Sequence, residues 1–286
     1  MFGRSLALVA LLALPAHALL SETADLRFDA ALGGVAVPGG FTTVDVQFVN
    51  YGPSPAGDLK VTIGIPNGAT YDGSYYASDM KCAGPPAGST GTLTCTTPSL
   101  GVSPFIGAHY VSSFVDFNPR IDPATPPGTV LAFPVTMTSS NALQPSQSAT
   151  AMLRVVTPAD LTIAVKSPAQ VTAGDALVST ITVTNHGPAD GMSVEVYVAS
   201  SPAHPQQMSG PGWSCWASGC FTNTFPPGTA TFVLTSLVPG TLQDPEVTQR
   251  FEVSSINELD YRDNTISVTT AVNPAPPPSR RRAVHH

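Results

Sequence analysis

Residues 180–198 read TITVTNHGPADGMSVEVYV, two alternating apolar runs on either side of a turn. In the first run Ile181 and Val183 alternate with threonines, and in the second run every other residue from 194 to 198 is valine. A period of two with β-branched residues is typical of antiparallel strands that bury one face. The Asn-His-Gly-Pro between the runs predicts a turn, because Gly supplies positive φ and Pro blocks continuation of a ladder. This region therefore predicts two neighbouring β-strands.

The composition extends this prediction to the whole chain. Of 286 residues, 29 are Pro and 24 are Gly, while only 11% are charged. Pro and Gly break helices, and few charged pairs are present to support exposed ones. The same alternation recurs at residues 44–48 and 59–65, with Gly/Pro turns between the runs. These features predict an all-β fold built from short strands.

Two copies of one unit follow each other along the chain. Ala24-Asp25-Leu26 recurs as Ala159-Asp160-Leu161, and Asn50-Tyr51-Gly52-Pro53 recurs as Asn185-His186-Gly187-Pro188. The two motifs are equally far apart in both copies, and a pair of cysteines follows in each. Together with the alternating strands, this duplication predicts two tandem antiparallel β-sandwiches, at residues 19–156 and 157–272.

The remaining residues are expected to lie outside both sandwiches. Residues 1–18 combine Arg4, the apolar run 6–14 and a small-residue cleavage site, the pattern of a secretory signal peptide. Export places the protein in the periplasm, at the cell surface or outside the cell. Residues 273–286, NPAPPPSRRRAVHH, predict an extended tail. Arg280, Arg281 and Arg282 in that tail either dock to an anionic surface or are simply solvated.

Four cysteines in an exported chain are expected to form disulfides. Three connectivities are possible. The duplication favours one pair in each copy, Cys82 with Cys95 and Cys215 with Cys220.

Several of these landmarks resemble a known family. Ala159-Asp160-Leu161, the run 180–189 (TITVTNHGPA), Gly212-Trp213-Ser214-Cys215 and Asp263-Asn264-Thr265 are similar to the conserved-repeat domain of exported bacterial proteins, called domain of unknown function eleven. The resemblance implies tandem immunoglobulin-like modules and no catalytic residues. The first copy is similar through its Asn-Tyr-Gly-Pro turn and cysteine pair, then diverges with an apparent insertion at 101–127.

The charge pattern limits the classes of partner that the protein can bind. The formal net charge is −7, and the basic residues form no stripe. An acidic body is repelled by nucleic acid, so we expect no nucleic-acid binding. No second long apolar run follows residues 6–14, so we expect no membrane insertion. A surface protein or a glycan remains the expected partner, and the sequence leaves the oligomeric state open.

Aromatic residues beside the cysteines are candidate ligand contacts. Trp213 and Trp216 flank Cys215, and Tyr71, Tyr75 and Tyr76 precede Cys82. Exposed rings can stack on sugars, whereas sandwiches also pack Trp against a disulfide in the core.

Oxygen ligands for calcium are crowded near the end of the second copy, at Glu258, Asp260, Asp263 and Asn264. Closely spaced carboxylates can hold calcium, although Asp and Asn also form ordinary hairpin turns. We expect no other cofactor.

Motifs for catalysis are missing from the sequence. It contains no His-Glu-x-x-His, Gly-x-Ser-x-Gly or Walker loop. The sequence therefore predicts a non-enzymatic exported protein that acts as a structural spacer or adhesive module. A carbohydrate-binding protein is the alternative. A hydrolase is a third option, which a deep pocket joining His with Ser or Asp would support.

Overall fold

The computed structural model of the chain describes residues 23–103, 113–242 and 244–275. Within these residues the secondary structure is β throughout, without a helix. The expected signal peptide, residues 1–18, and the Arg280–Arg282 cluster lie outside the described residues.

Contacts divide the chain into two compact units. The first contains Met1–Gly34, Phe41–Asp122 and Val130–Arg154. The second contains Val35–Gly40, Pro123–Thr129 and Val155–His286. The boundary expected between residues 156 and 157 stays a prediction.

The strands of the first half of the chain are defined here in order. They are β1 Leu26–Ala36, β2 Val44–Asn50, β3 Ala56–Ile65, β4 Ala69–Ala77, β5 Lys81–Ala83, β6 Gly91–Leu100, β7 Ser113–Ile121, β8 Val130–Thr138 and β9 Ser146–Val155. They form one continuous sheet in the order β4-β7-β2-β1-β9-β8-β3-β6-β5.

The second half repeats this pattern with one extra strand. Its strands are β10 Leu161–Lys166, β11 Gln170–Thr172, β12 Ala176–Asn185, β13 Gly191–Ser200, β14 His204–Ser209, β15 Ser214–Cys215, β16 Gly219–Phe225, β17 Gly228–Leu237, β18 Glu246–Ser254 and β19 Thr265–Asn273. They form two sheets, β10-β12-β17-β14 and β11-β19-β18-β13-β16-β15. With β1 split into β10 and β11, the strand order is the same in both units.

The split in the first strand has a local cause. In the second unit β10 pairs with β12 and β11 pairs with β19, so the chain changes sheets between them. Pro168 lies in this gap, and proline has no N–H to donate to a ladder. In the first unit β1 stays unbroken and joins β2 to β9. Both units are therefore immunoglobulin-like sandwiches: in the second the first strand is divided between two sheets, and in the first it joins the two halves of one continuous sheet.

The insertion expected at 101–127 reaches too far: residues 101–112 have only residues 226–227 as their counterpart in the second unit, but the rest of the segment includes a strand that both units share. This strand is β7, which pairs with β2 and β4. In the second unit β17 pairs with β12 and β14 in the same way. The sequence comparison missed this equivalence because the two strands share shape and not sequence.

Alternate residues of the long strands fill the cores. In β3 the buried residues are Leu59, Val61, Ile63 and Ile65, and in β12 Ile181 and Val183 are buried. Phe232 and Phe251 belong to the same buried cluster as Ile181 and Val183. The period of two seen in the sequence thus corresponds to one buried and one outward face on each strand.

Candidate functional site

A buried asparagine organises the duplicated turn of the first unit. Asn50 ends β2, and its Oδ1 accepts hydrogen bonds from the backbone N–H of Asp25 at 3.1 Å and of Gly52 at 3.0 Å. Its Nδ2 donates to the carbonyl oxygens of Ser54 at 2.8 Å and Leu100 at 3.4 Å. One side chain therefore ties the first strand, the turn and the end of β6 together.

Asn185 makes the same four bonds in the second unit. Its Oδ1 accepts from the N–H of Asp160 at 3.3 Å and of Gly187 at 3.0 Å. Its Nδ2 donates to the carbonyls of Ala189 and Phe225, both at 2.9 Å. This identity of contacts explains why Asn recurs in both copies, and it gives the turn a structural role.

The glycine of this turn is required for a different reason than the sequence suggested. The expectation that it supplies positive φ is wrong, because neither Gly52 nor Gly187 has a positive φ. A Cβ on Gly52 would lie 2.4 Å from the Asp25 nitrogen, and one on Gly187 would lie 2.6 Å from the Asp160 nitrogen. Glycine is needed because the first strand of each unit passes directly against it.

The variable residue between the Asn and the Gly points outward. Tyr51 lies beside Arg27, whose guanidinium carbon is 5.7 Å from the ring centroid. His186 Nε2 lies 3.2 Å from the Thr162 hydroxyl oxygen. The turn thus has a constant interior and a surface that differs between the units.

A second duplicated element was missed by the sequence analysis. Asn141 Oδ1 accepts from the N–H of Gly57 at 2.8 Å, while the Ser139 hydroxyl donates to the Gly57 carbonyl at 2.8 Å. In the second unit Asn257 Oδ1 accepts from the N–H of Met192 at 2.8 Å, and the Ser255 hydroxyl donates to the Met192 carbonyl at 2.9 Å. The only signal in the sequence was a Ser-x-Asn directly after β8 and after β18, and this motif is too short to stand out.

The disulfides also occupy equivalent places. The structure joins Cys82 to Cys95 and Cys215 to Cys220, the pairing that the duplication favours. Each pair lies directly opposite on two neighbouring strands, β5 with β6 and β15 with β16. Both disulfides therefore brace a hairpin at the edge of a sheet, the nine-stranded sheet of the first unit and the six-stranded sheet of the second.

The three tyrosines near Cys82 lie in different environments. Tyr71 is buried, its ring 6.4 Å from that of Phe117, so it belongs to the core and cannot form a ligand platform. The Tyr75 hydroxyl accepts a hydrogen bond from the Cys82 N–H at 3.3 Å. Tyr76 is 70% exposed, and its ring lies 5.2 Å from that of Phe114. Tyr75 is 42% exposed, so Tyr75 and Tyr76 both have ring surface that can contact a ligand, and Tyr76 is the more open of the two.

The two tryptophans also differ in exposure, one packed in the core and one partly open to solvent. Trp213 packs edge-on against Phe232 at 4.9 Å and Phe225 at 5.5 Å, so it serves the core. Trp216 is 44% exposed. A Cβ on Gly219 would lie 2.5 Å from its ring, so Trp216 rests on the backbone of the disulfide hairpin. This arrangement fixes the Trp216 ring against β16 while leaving part of it accessible.

The Glu258 carboxylate is hydrogen-bonded to the protein backbone. It is buried, and its carboxylate accepts from the N–H of Leu161 at 2.8 Å, of Leu259 at 3.0 Å and of Asp260 at 3.2 Å. Burial raises the pKa of Glu258, and these three N–H donors oppose the rise. Both carboxylate oxygens of Glu258 therefore bond the backbone, and one of these bonds is to the start of β10.

The other predicted calcium ligands each have different surroundings. Asp260 is bonded by Arg262, whose Nε lies 2.8 Å from Oδ1, and this bond lowers the pKa of Asp260 to about 2. The backbone carbonyl of Asp263 accepts a hydrogen bond from the N–H of Ile163. Asn264 is buried, and neither of its amide atoms has a hydrogen-bond partner among the described residues. Across residues 23–103, 113–242 and 244–275, no three His, Cys, Asp or Glu residues gather into a metal site.

An acidic pair that the sequence analysis missed lies on the first unit. Asp45 of β2 and Asp116 of β7 are directly opposite on the outward side of the sheet. The Oδ1 atom of each carboxylate is buried and accepts no hydrogen bond from the described residues. The pKa of Asp116 is raised to about 6, mainly by burial and next by the nearby Asp45 carboxylate. Each residue stood singly in an alternating strand, so only the strand pairing reveals the pair.

An open pocket of about 480 Å³ lies at one end of the second unit. Its lining is mostly apolar and includes Leu242, Val272 and Pro274, with the carboxylate of Asp244. Neither His nor Ser belongs to this lining, so it does not supply the constellation that a hydrolase requires.

Comparisons with known proteins found matches among solved structures only. No protein-family model matches the chain, and no curated protein does. A cohesin of ScaC from Acetivibrio cellulolyticus, in complex with a dockerin, is 14% identical with a TM-score of 0.35, covering 46% of this chain and 99% of that one. The C-terminal domain of the Streptococcus agalactiae AgI/II polypeptide BspA is 10% identical with a TM-score of 0.30, covering 87% and 99%.

A further match is a C-terminal fragment of the major pilin GBS80 of Streptococcus agalactiae. It is 9% identical with a TM-score of 0.32, covering 87% of this chain and 91% of that one. The similarity to the conserved-repeat domain stays a prediction. No helix in the described part of the chain is long and apolar enough to cross a membrane.

Proposed function

We propose that the chain is an exported, non-enzymatic protein whose two sandwiches act as a structural spacer or adhesive module at the cell surface. The observation that carries this proposal is the repeated bracing of both units. Each has a buried asparagine at the turn, a Ser-x-Asn directly after β8 or β18 and a cross-strand disulfide. Bracing of this kind holds loop ends and strand edges in fixed positions, from which surface residues contact partners.

Two disulfides fit an oxidising compartment outside the cytoplasm. The proposal adds that the signal peptide is removed after residue 18. Mass spectrometry of protein recovered from the producing cell tests this step: the mature chain should begin at Leu19 and be found outside the cytoplasm. A full-length chain in the cytoplasmic fraction would contradict it.

The adhesive role is tested by displaying residues 19–286 on a non-adherent bacterial host. Attachment of the cells to one another and to envelope fragments of the producing cell is counted against a host with an empty anchor. Replacing the exposed Phe41 and Tyr76 with Ser should lower attachment several-fold, while Val130→Ser, an exposed valine elsewhere on the first unit, should not.

The spacer role is measured with the same host. A binding tag placed beyond residue 286 should become accessible to antibody-coated beads only when the two units separate it from the anchor. If neither attachment nor tag access changes, the proposed function is wrong.

Carbohydrate binding is the second candidate, and the exposure of Tyr76 and Trp216 favours it. Both rings are held against protein on one side and open on the other, the geometry with which aromatic residues stack on sugars. A glycan array with the mature chain tests it. Binding that is lost in Tyr76→Ala or Trp216→Ala, and kept in Leu143→Ala, supports this candidate; absence of binding to every glycan rejects it.

A further inference from the structure

The turn between β3 and β4 contains a chemically reactive pair of residues. It reads Pro66-Asn67-Gly68 and joins Ile65, the last residue of β3, to Ala69, the first residue of β4. Asn67 is the only asparagine of the sequence that is followed by glycine. Because glycine has no Cβ, the backbone nitrogen after Asn67 is open to an approach that a larger residue would hinder. The sequence therefore favours a reaction between the Asn67 side chain and the next peptide nitrogen.

The structure leaves the Asn67 side chain accessible for this reaction. Asn67 is exposed, and its amide makes no hydrogen bond within the part of the chain that the structure describes. On either side of it the turn is held, because the Ala69 N–H donates to the Pro66 carbonyl at 3.2 Å and the Asp122 N–H donates to the Gly68 carbonyl at 3.0 Å. Gly68 itself has a φ of 91°. Solvent therefore reaches an unrestrained amide in a short turn.

The other asparagines lack this combination of exposure and a following glycine. Asn50 and Asn185 are buried and use both amide atoms in hydrogen bonds. Asn264 is also buried. Asn223 is exposed, but Thr224 follows it, and a β-branched side chain restricts the approach to the Thr224 nitrogen. Asn223 is therefore a control within the same chain.

The reaction needs no reagent other than solvent water. The Gly68 backbone nitrogen attacks the Asn67 side-chain carbon Cγ, so that an N–Cγ bond forms and the Cγ–Nδ2 bond breaks. The Asn67 amide nitrogen leaves as ammonia and takes up the proton that the Gly68 nitrogen loses. Water then opens the resulting succinimide ring at either carbonyl. One opening gives aspartate, and the other gives isoaspartate, in which the main chain runs through the former side chain.

We propose that Asn67 is a site of spontaneous deamidation, and that its conversion to isoaspartate loosens the start of β4. Isoaspartate adds one carbon to the main chain of a turn that is limited to residues 66–68. The bond from the Ala69 N–H to the Pro66 carbonyl and the pairing of Ala69 with Ile121 both depend on the length of this turn. The conversion also adds a carboxylate to a chain whose formal net charge is already −7.

The affected strand carries residues of functional interest. β4 includes Tyr75 and Tyr76, whose rings are partly open to solvent. A change at the start of β4 would therefore alter a surface that is available for ligand contact as the protein ages. This inference goes beyond the proposed function, because the conversion requires neither a glycan nor a surface partner.

Peptide mapping by mass spectrometry tests the proposal on residues 19–286 kept at pH 8 and 37 °C. The peptide containing Asn67 should gain the mass difference between an amide and an acid, and fragmentation should place isoaspartate at residue 67. Conversion at Asn67 should exceed conversion at Asn223 by about tenfold or more, because Thr224 hinders the same attack.

Variants and an unfolded sample make this measurement decisive. Asn67→Gln should abolish the conversion, since the longer side chain forms its ring far more slowly, whereas Asn223→Gln should leave conversion at Asn67 unchanged. If Asn67 remains an amide in the folded chain while it converts in the chain unfolded by urea, the folded turn protects it and the proposal is wrong. Equal conversion of Asn67 and Asn223 would also overturn it.

Hydrogen exchange tests the effect on β4. In the aged wild-type chain the backbone amides of Ala69–Ala77 should exchange faster than in the fresh chain, while those of Ala176–Asn185 in the second unit keep their rates. Asn67→Asp, measured fresh, adds the charge without lengthening the main chain and should exchange like fresh wild type. Unchanged exchange of β4 in a fully converted sample would contradict the proposed loosening.

Discussion

Replacing Asn185 with alanine should destabilise the second unit selectively. The change removes four hydrogen bonds of 2.9–3.3 Å and leaves two N–H groups and two carbonyls of the strand ends without that partner. A net contribution of roughly 0.5–1.5 kcal/mol per bond gives about 2–6 kcal/mol. Water reaches part of the turn, so we expect a loss of about 3 kcal/mol and a melting temperature lower by about 10 °C.

Tryptophan fluorescence makes the measurement specific to one unit. The chain has two tryptophans, Trp213 and Trp216, and both lie in the second unit. Urea unfolding followed by fluorescence therefore reports on the second unit, whereas far-UV circular dichroism reports on both. Asn185→Ala should shift the fluorescence midpoint, and Asn50→Ala should shift the dichroism curve with a much smaller effect on fluorescence.

Asn223→Ala serves as the control, because Asn223 is an exposed asparagine of β16 in the same unit. It should change the free energy of unfolding by less than about 0.5 kcal/mol. If Asn185→Ala costs no more than this control, the buried asparagine does not hold the turn, and the account of the duplicated motif is wrong.

Three further predictions concern other parts of the fold. Gly187→Ala should cost about 1–3 kcal/mol, because its Cβ would lie 2.6 Å from a backbone nitrogen. Gly101→Ala should be neutral, because its Cβ would have no atom of the described residues within 4 Å; thermal melts compare the two. The raised pKa of Asp116, about 6, means that the folded state holds its proton more tightly than the unfolded state, so this group's contribution to stability falls as pH rises from about 4 to 6. Melts of Asp116→Asn should therefore lie above wild type near pH 7.5 and converge with it near pH 4; a constant difference would refute the assignment. Replacing Cys215 and Cys220 with Ser should lower the free energy of unfolding by about 2 kcal/mol in urea, since the disulfide closes a short loop.

The fold was predictable because its signals are local and repeated. The alternation at Ile181 and Val183 predicted a strand with one buried face, and the structure confirms the all-β sandwich architecture. The strand β7 was taken for an insertion because nothing in its sequence matches β17. Its place is set by pairing with β2 and β4, which are distant in sequence.

The candidate site was harder to predict, because exposure depends on tertiary packing. Nothing near Cys82 distinguishes Tyr71, which packs against Phe117, from Tyr76, which is open to solvent. The acidic crowding that suggested calcium was also ambiguous. The Glu258 carboxylate is instead occupied by backbone N–H groups from the start of β10 and from its own loop.

The split first strand bears on how the second unit responds to tension. β11, near its beginning, runs parallel to β19, near its end, with Gln170, Val171 and Thr172 opposite Ala271, Val272 and Asn273. Pulling the two ends apart would load this pair in shear, so its interstrand bonds would have to yield together and could not unzip one at a time. A strand pair joined in this way is suited to a protein that bears mechanical load.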